Sequence, residues 1–306
     1  MPLQFGRTAY VAIGEEVTYG TPVATPVNNR VFSVSMARKQ DRERTTHLSQ
    51  SSAAFAVNTF DGFEVAGGAI ETPLTYKGLG MLLKAAVGSV TSTGGPAPHT
   101  HTFSPIAALP SLTITVQRGT GSKEIFEGCK VANMTLSCEA GGEARASFEV
   151  IAETAAARSA ALPAPVFGDG AQIFHFQSST LSYDSNTYSM RSMELSLDNK
   201  LERVNYLGSK LTTEPQISDV REVTLTVTMD LEDNNLYNSQ ISGTASNVEV
   251  TFTSGSDSFN ILLRGAEIVD YDDAVNSFGR IERTITFFGL SDSSNEALRI
   301  EMVNDD

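Results

Sequence analysis

Nine consecutive residues, Glu222–Asp230 (EVTLTVTMD), alternate polar with apolar side chains without a break. A period of two places Val223, Leu225, Val227 and Met229 on one face of a strand, with Glu222, Thr224, Thr226, Thr228 and Asp230 on the other. A helix would scatter both sets around its circumference. The same alternation recurs at 31–38, 111–118, 130–139, 145–153, 193–198, 247–253 and 280–288, so the chain is expected to be mainly β. Only two segments carry a helical period. In 76–87, Leu79, Leu82, Leu83 and Ala86 share a face and Gly88 ends the run. In 231–241, Asp230 is the expected N-cap, Leu236 and Ile241 are the apolar positions, and Gly243 lies just beyond.

Those helices fall at matching points of an internal repeat. Aligning Gly128 with Gly265 pairs Val131 with Ile268, Gly142 with Gly279, Phe148 with Ile285 and Val150 with Phe287, all without a gap. After a one-residue slip, LTITVQRG ending at Gly119 matches VEVTFTSG ending at Gly255. Each half reads strand, long loop, strand, helix, then a run of antiparallel strands. The expectation is two tandem β-sandwich or barrel domains, 1–160 and 161–306, each with one flanking helix and related by internal duplication. An Ala- and Pro-rich linker at 155–165 would join them. The segments 41–61 and 200–219 are expected to be long loops at equivalent places, and loops of about 20 residues in a compact domain are usually functional. A third stretch, 89–101, is read as a surface loop, and residues 1–30 as an arm that orders only on assembly.

Composition narrows the function. The chain has 22 basic and 36 acidic residues, a net charge of −14. Up to residue 160 there are 13 of each sign, and beyond it 9 basic against 23 acidic. Such a balance argues against gripping nucleic acid, where affinity comes from Lys and Arg neutralising phosphates. The apolar content of 41% is ample for buried cores. Cys129 and Cys138, if they share one extended strand, lie about 30 Å apart at roughly 3.3 Å per residue, too far to pair. No signal-peptide pattern and no 18-residue apolar run occur, so the chain is expected to start in the cytoplasm without a membrane contact.

Chemistry is scarce. The sequence has no P-loop, nucleophile elbow or zinc-protease helix motif. His99 and His101 would point the same way on a strand, yet no carboxylate or Cys lies near in sequence to complete a metal site. Asp230, Glu232, Asp233, Asn234 and Asn235 fit a helix start better than a calcium loop, since the turn glycine and terminal Glu are absent. The expectation is no catalytic residue, no metal and no cofactor.

Four stretches carry a resemblance: AIGEEVTYGTPV from Ala12, HTHTFSP from His99, LPSLTITV from Leu109, and FEGCKVANMTLSCEAGGEARASFEVIA from Phe126. Together they resemble tail tube proteins of phages with long non-contractile tails. Gly128, Gly141 and Gly142 match glycines that recur in that family before its long strand and near its hairpin. The resemblance covers the first half, and the second supports it through the repeat. It implies a structural virion protein whose rings stack into a hollow tail tube, made in the host cytoplasm. Its partners would be other copies of itself, a tape-measure protein in the lumen, and tail-terminator and distal-tail proteins. Double-stranded DNA would pass through without specific binding. Tubes of this kind usually have six domains to a ring, so two domains per chain imply a homotrimeric, pseudo-hexameric ring, with a hexamer of full-length chains as runner-up. A secretion-type tube protein and a β-sandwich binding module such as a lectin or adhesin are the alternatives.

On that picture the polar strand faces would line the bore: Ser33, Ser35, Glu71, Thr75, Glu194, Ser196, Asp198, Glu222, Thr224, Thr226 and Thr228. A hydroxyl- and carboxylate-lined wall lets DNA slide, whereas a basic wall would hold it. Arg42, Arg44, Glu202, Arg203 and Lys210 of the two long loops are the expected contacts between stacked rings.

Overall fold

The computed structural model describes residues 5–44, 58–159, 162, 164–168, 172–273, 275, 278–291 and 296–305. In chain order the first half holds β1 (Tyr10–Glu15), β2 (Val27–Asn29), β3 (Ser33–Val34), β4 (Ala37–Arg44), β5 (Thr59–Pro73), α1 (Gly80–Val87), β6 (Gly88–Thr93), β7 (His99–Pro105), β8 (Leu112–Arg118), β9 (Ser122–Glu139), β10 (Arg145–Ala152) and β11 (Thr154–Ala155). The second holds β12 (Ser179–Tyr183), β13 (Asn186–Tyr188), β14 (Met190–Asp198), β15 (Leu201–Glu202), β16 (Gln216–Ile217), β17 (Glu222–Asp230), α2 (Asn235–Ser242), β18 (Ser246–Ser254), β19 (Asp257–Asp272), β20 (Glu282–Phe288) and β21 (Leu298–Asn304). The chain is mainly β, as the alternation predicts.

One long antiparallel sheet runs through both halves in the order β4–β5–β10–β9–β14–β17–β20–β19. Two outer sheets cover it: β2–β1–β8–β9–β11, and β13–β12–β18–β19–β21–β7–β6. The strands β9 and β19 belong to both layers. Each bends from one to the other at a glycine with positive φ, Gly128 (62°) and Gly265 (53°), a conformation that carries no steric penalty only without a Cβ. The core lies between the layers, where Phe126 and Phe148 are buried beside Leu136, and Phe174 packs against Phe252 and Phe259.

The two halves have matching strand orders. In the first, β4–β5–β10–β9 follow one another across the sheet, and in the second β14–β17–β20–β19 do so. The β10–β9 ladder skips one residue between Asn133 and Val131, and the β20–β19 ladder skips one between Asp270 and Ile268, positions that the Gly128–Gly265 alignment equates.

Several expectations are corrected. Residues 10–15 form a strand inside an outer sheet, with Val11 and Ile13 fully buried, so this part of the N-terminal segment is core and not an arm. The stretch read as a surface loop at 89–101 is largely the β6–β7 hairpin. The expected strand 31–38 is split, and Phe32 is exposed while Met36 is buried in the core and Val31 and Val34 pack against it partly buried. Strand β4 continues to Arg44 and β5 starts at Thr59, so a hairpin enters the expected 41–61 loop; residues 45–57 lie outside the described part. Helix α2 starts later than expected, Asp230 ends a strand and binds Arg191 and Arg280, and Ile241 is exposed. The separation of Cys129 and Cys138 holds: both lie on β9, buried and unpaired, and burial pushes both thiols up.

Candidate functional site

The alternation sorts side chains onto the two faces of the long sheet. Met134, Leu136, Phe148, Leu195, Leu225 and Ile285 turn into the sandwich, and polar residues occupy the opposite face in rows that cross strand after strand. One row runs Glu71, Ser147, Thr135, Ser196, Thr224. The next runs Arg145, Ser137, Glu194, Thr226, Thr286, Asp270. Towards one end lie Glu149, Asn133, Asp198 and Glu222, and towards the other Glu139, Ser192, Thr228, Thr284 and Asp272. Thr226 and Thr286 approach to 3.2 Å through their hydroxyls, and Thr228 and Thr284 to 3.4 Å, the cross-strand pairing expected of opposed threonines.

Carboxylates outnumber cations here. Arg145 binds Glu71 (3.0 Å) and Glu143 (3.5 Å) and lies 4.4 Å above the Phe32 ring. Lys200 bridges Asp198 (2.8 Å) and Glu222 (3.0 Å). Burial raises the Asp198 carboxyl, but its hydrogen bonds from Lys200 and that residue's charge outweigh burial and hold it below its ordinary value. Glu149 accepts a 2.7 Å bond from Asn133. Beside Lys200 a groove of about 890 Å³ opens on this face, lined by Ser35, Lys39, Asn133, Glu149 and Asp198.

Of the residues expected on this surface, Glu194, Ser196, Asp198, Glu222, Thr224, Thr226 and Thr228 share one continuous patch with Glu71. Ser33 donates to Glu71 (3.1 Å), and Ser35 borders the groove. Thr75 does not belong there. It lies past the end of β5, 5% exposed, with its hydroxyl bound to the Lys77 carbonyl, because the chain has left the sheet to enter α1. Sequence reasoning assigned no face to Asn133, Thr135, Ser137, Ser147, Glu149, Thr284 and Thr286. Their alternation with Met134, Leu136, Phe148 and Ile285 was the signal that places them.

The expected loop contacts divide. Arg42 sits across the β4–β5 hairpin from Asp61 (3.7 Å), and Arg44 and Glu202 are exposed. Arg203 is turned inward, donating to the Ala66 carbonyl at 2.6 Å, and Lys210 accepts from the Glu64 N–H through its carbonyl and reaches Gln40 with its Nζ. The 200–219 segment therefore docks on the first half's hairpin, aided by the Lys130–Glu214 ion pair (2.7 Å). On β7, His101 bonds to Ser92 and Asn304, and His99 to the Gly94 carbonyl.

A family model described as phage tail tube protein matches residues 6–288. The chain belongs to the phage tail tube protein family. Membership makes it a structural virion component that self-assembles into a tube with other tail components, and the family is not one of enzymes. No curated protein matches. Among the described residues no helix is long and apolar enough to cross a membrane.

Proposed function

We propose that three copies of this chain close into a pseudo-hexameric ring, that rings stack into the tube of a long non-contractile tail, and that the polar face of the long sheet lines the bore through which DNA leaves. The observation that carries this reading is the β9–β14 ladder, in which the last strand of one four-strand set pairs with the first strand of the next. That arrangement repeats by duplication of a single domain, 1–160 and 161–306, and leaves β4 and β19 as the two ends of the sheet for pairing with other copies.

Magnitudes favour three. Eight strands at about 4.8 Å spacing span roughly 38 Å, so three copies give a circumference near 115 Å and a backbone diameter of about 37 Å. Side chains from both walls still leave room for a duplex. Two copies would give about 24 Å, which side chains close to a DNA helix, and six would give a bore twice as wide. Carboxylates and hydroxyls on that wall repel or ignore phosphates, so DNA and the tape-measure protein that fills the bore before it slide through. Exposed Arg42, Arg44, Glu202 and Lys210 would contact neighbouring rings, and tail-terminator and distal-tail proteins would cap the ends.

Negative-stain electron microscopy of the concentrated protein, joined to native mass measurement of isolated rings, tests this. Hollow rings of three chains are expected. Rings of six chains would replace the stoichiometry, and a persistent monomer would remove the reading.

A further inference from the structure

The two ends of the long sheet differ in charge. Strand β4 (ARKQDRER) carries Arg38, Lys39, Arg42 and Arg44 against Asp41 and Glu43. At the other end, β19 from Glu267 onward carries Glu267, Asp270 and Asp272, followed by Asp273, with no basic residue between. Among the described residues no strand pairs with the outer edge of β4, or with the outer edge of β19 over 267–272.

The ladder between the halves supplies a register for joining these ends. Ser196 pairs with Thr224, which pairs with Phe288. Moving back by the 137-residue offset that equates Gly265 with Gly128 turns Phe288 into Ile151, which pairs with Gly67, which pairs with Ala37. Ala37 therefore corresponds to Ser196, and Lys39 to Asp198. Within the chain, Ser196 faces Thr135 and Asp198 faces Asn133. The same offset carries Thr135 to Asp272 and Asn133 to Asp270.

We infer that β4 of one copy adds in antiparallel fashion to β19 of the next, with Lys39 opposite Asp270 and Ala37 opposite Asp272 of the neighbouring copy. The inference rests on the ring reading above and names its joint. Position 269 supports it independently: Ala132, its counterpart at the internal seam, is covered to 8% exposure, whereas Val269 is 55% exposed, an apolar residue at an edge that a second copy would cover. Opposed unlike charges stabilise a strand pair and opposed like charges weaken it, so two acidic edges or two basic edges resist pairing. The charge pattern thus directs a head-to-tail contact, the kind that closes rings, and disfavours a twofold one.

Cysteine cross-linking tests the register in the full chain. Directly opposed Cβ atoms lie about 4.5–5.5 Å apart and diagonal neighbours further. Lys39→Cys with Asp270→Cys, and separately Ala37→Cys with Asp272→Cys, should oxidise to covalent trimers on a non-reducing gel at least ten times faster than the slipped pairs Lys39→Cys with Asp272→Cys and Ala37→Cys with Asp270→Cys. Faster trapping of a slipped pair would overturn the register. Rings that form normally while none of the four pairs links two chains would overturn the joint and leave the ring reading intact. A wild-type protein that forms no rings would remove both. As a second measurement, Lys39→Asp and Asp270→Lys should each weaken assembly several-fold and restore it when combined in one chain; no rescue would count against the pairing.

Discussion

At the residue scale, the N-terminal motif has a structural explanation. Glu16 is buried, and its carboxylate accepts bonds from Thr113 Oγ1 (3.0 Å) and from the N–H groups of Gly128 (2.9 Å) and Gly20 (3.0 Å). It thereby ties the start of the chain to the bend of β9. A Cβ at Gly128 would come within 2.9 Å of both Glu153 Cβ and the Tyr19 ring, whereas one at Gly265 would come no nearer than 3.3 Å, to the Leu290 carbonyl. The left-handed conformation alone costs a non-glycine residue about 1–2 kcal/mol. Gly265→Ala should lose about that much in a urea melt, and Gly128→Ala more; equal losses would show that the crowding is relieved freely. Nearby, burial and the charge of Glu16 raise the carboxyls of Glu127 and Glu153. A carboxyl raised in the folded state binds more protons there than in the unfolded chain, so stability falls as pH climbs through its folded value. Glu153→Gln should therefore raise the melting temperature at pH 7, and the gain should vanish near pH 4.5, the group's ordinary value. A gain that persists unchanged into acid would point to packing as its source.

At the element scale, strands with one wet and one dry face were legible from sequence, and strands without that contrast were not. Strand β17 was bounded to the residue because its two faces meet water and core. Strand β1 was missed since five of its six residues are buried, which removes the polar half of the alternation. Strand β4 has the opposite fault: every position is polar or small, and it is a strand because β5 pairs with it. The β6–β7 hairpin is mostly Ser, Thr and His at a sheet edge, too weak in apolar contrast to register. The polar face of the long sheet was legible as single strands, whereas its continuity across the halves was not, because β9–β14 pairing is a matter of tertiary register. Besides Arg203 and the Lys130–Glu214 pair, two more side chains tie the halves together at that seam. Buried Asn199 donates to the carbonyls of Ala86 and Val131 (2.9 Å each), and Arg221 donates to Val87 (3.0 Å), Ala86 and Ile106 at the end of α1 and beyond. Asn199→Ala leaves both of its acceptors without that donor and should cost about 1–3 kcal/mol by urea unfolding. An unchanged midpoint would show that the seam holds without these bonds.

At the scale of the whole molecule, the proposed bore can be challenged by its charge. Glu194 and Glu222 are exposed on the polar face, and Glu194→Lys with Glu222→Lys would place new cations on each of its copies around a ring. Tails carrying both changes should assemble at normal length and release DNA more slowly, with the delay shrinking as salt screens the contacts. Release at the wild-type rate from intact tails would mean that these residues do not meet the DNA.

The hairpin β6–β7 has a mechanical consequence. It leaves the first half to pair β7 with β21, so the joint inside a chain is held by an added ladder as well as by β9–β14. Among the described residues the second half has no counterpart, since α2 ends at Ser242 and β18 begins at Ser246. In the three-chain ring proposed above, three reinforced hinges would alternate with three lighter ones, and a tail that flexes or sheds a subunit would give way at every second joint.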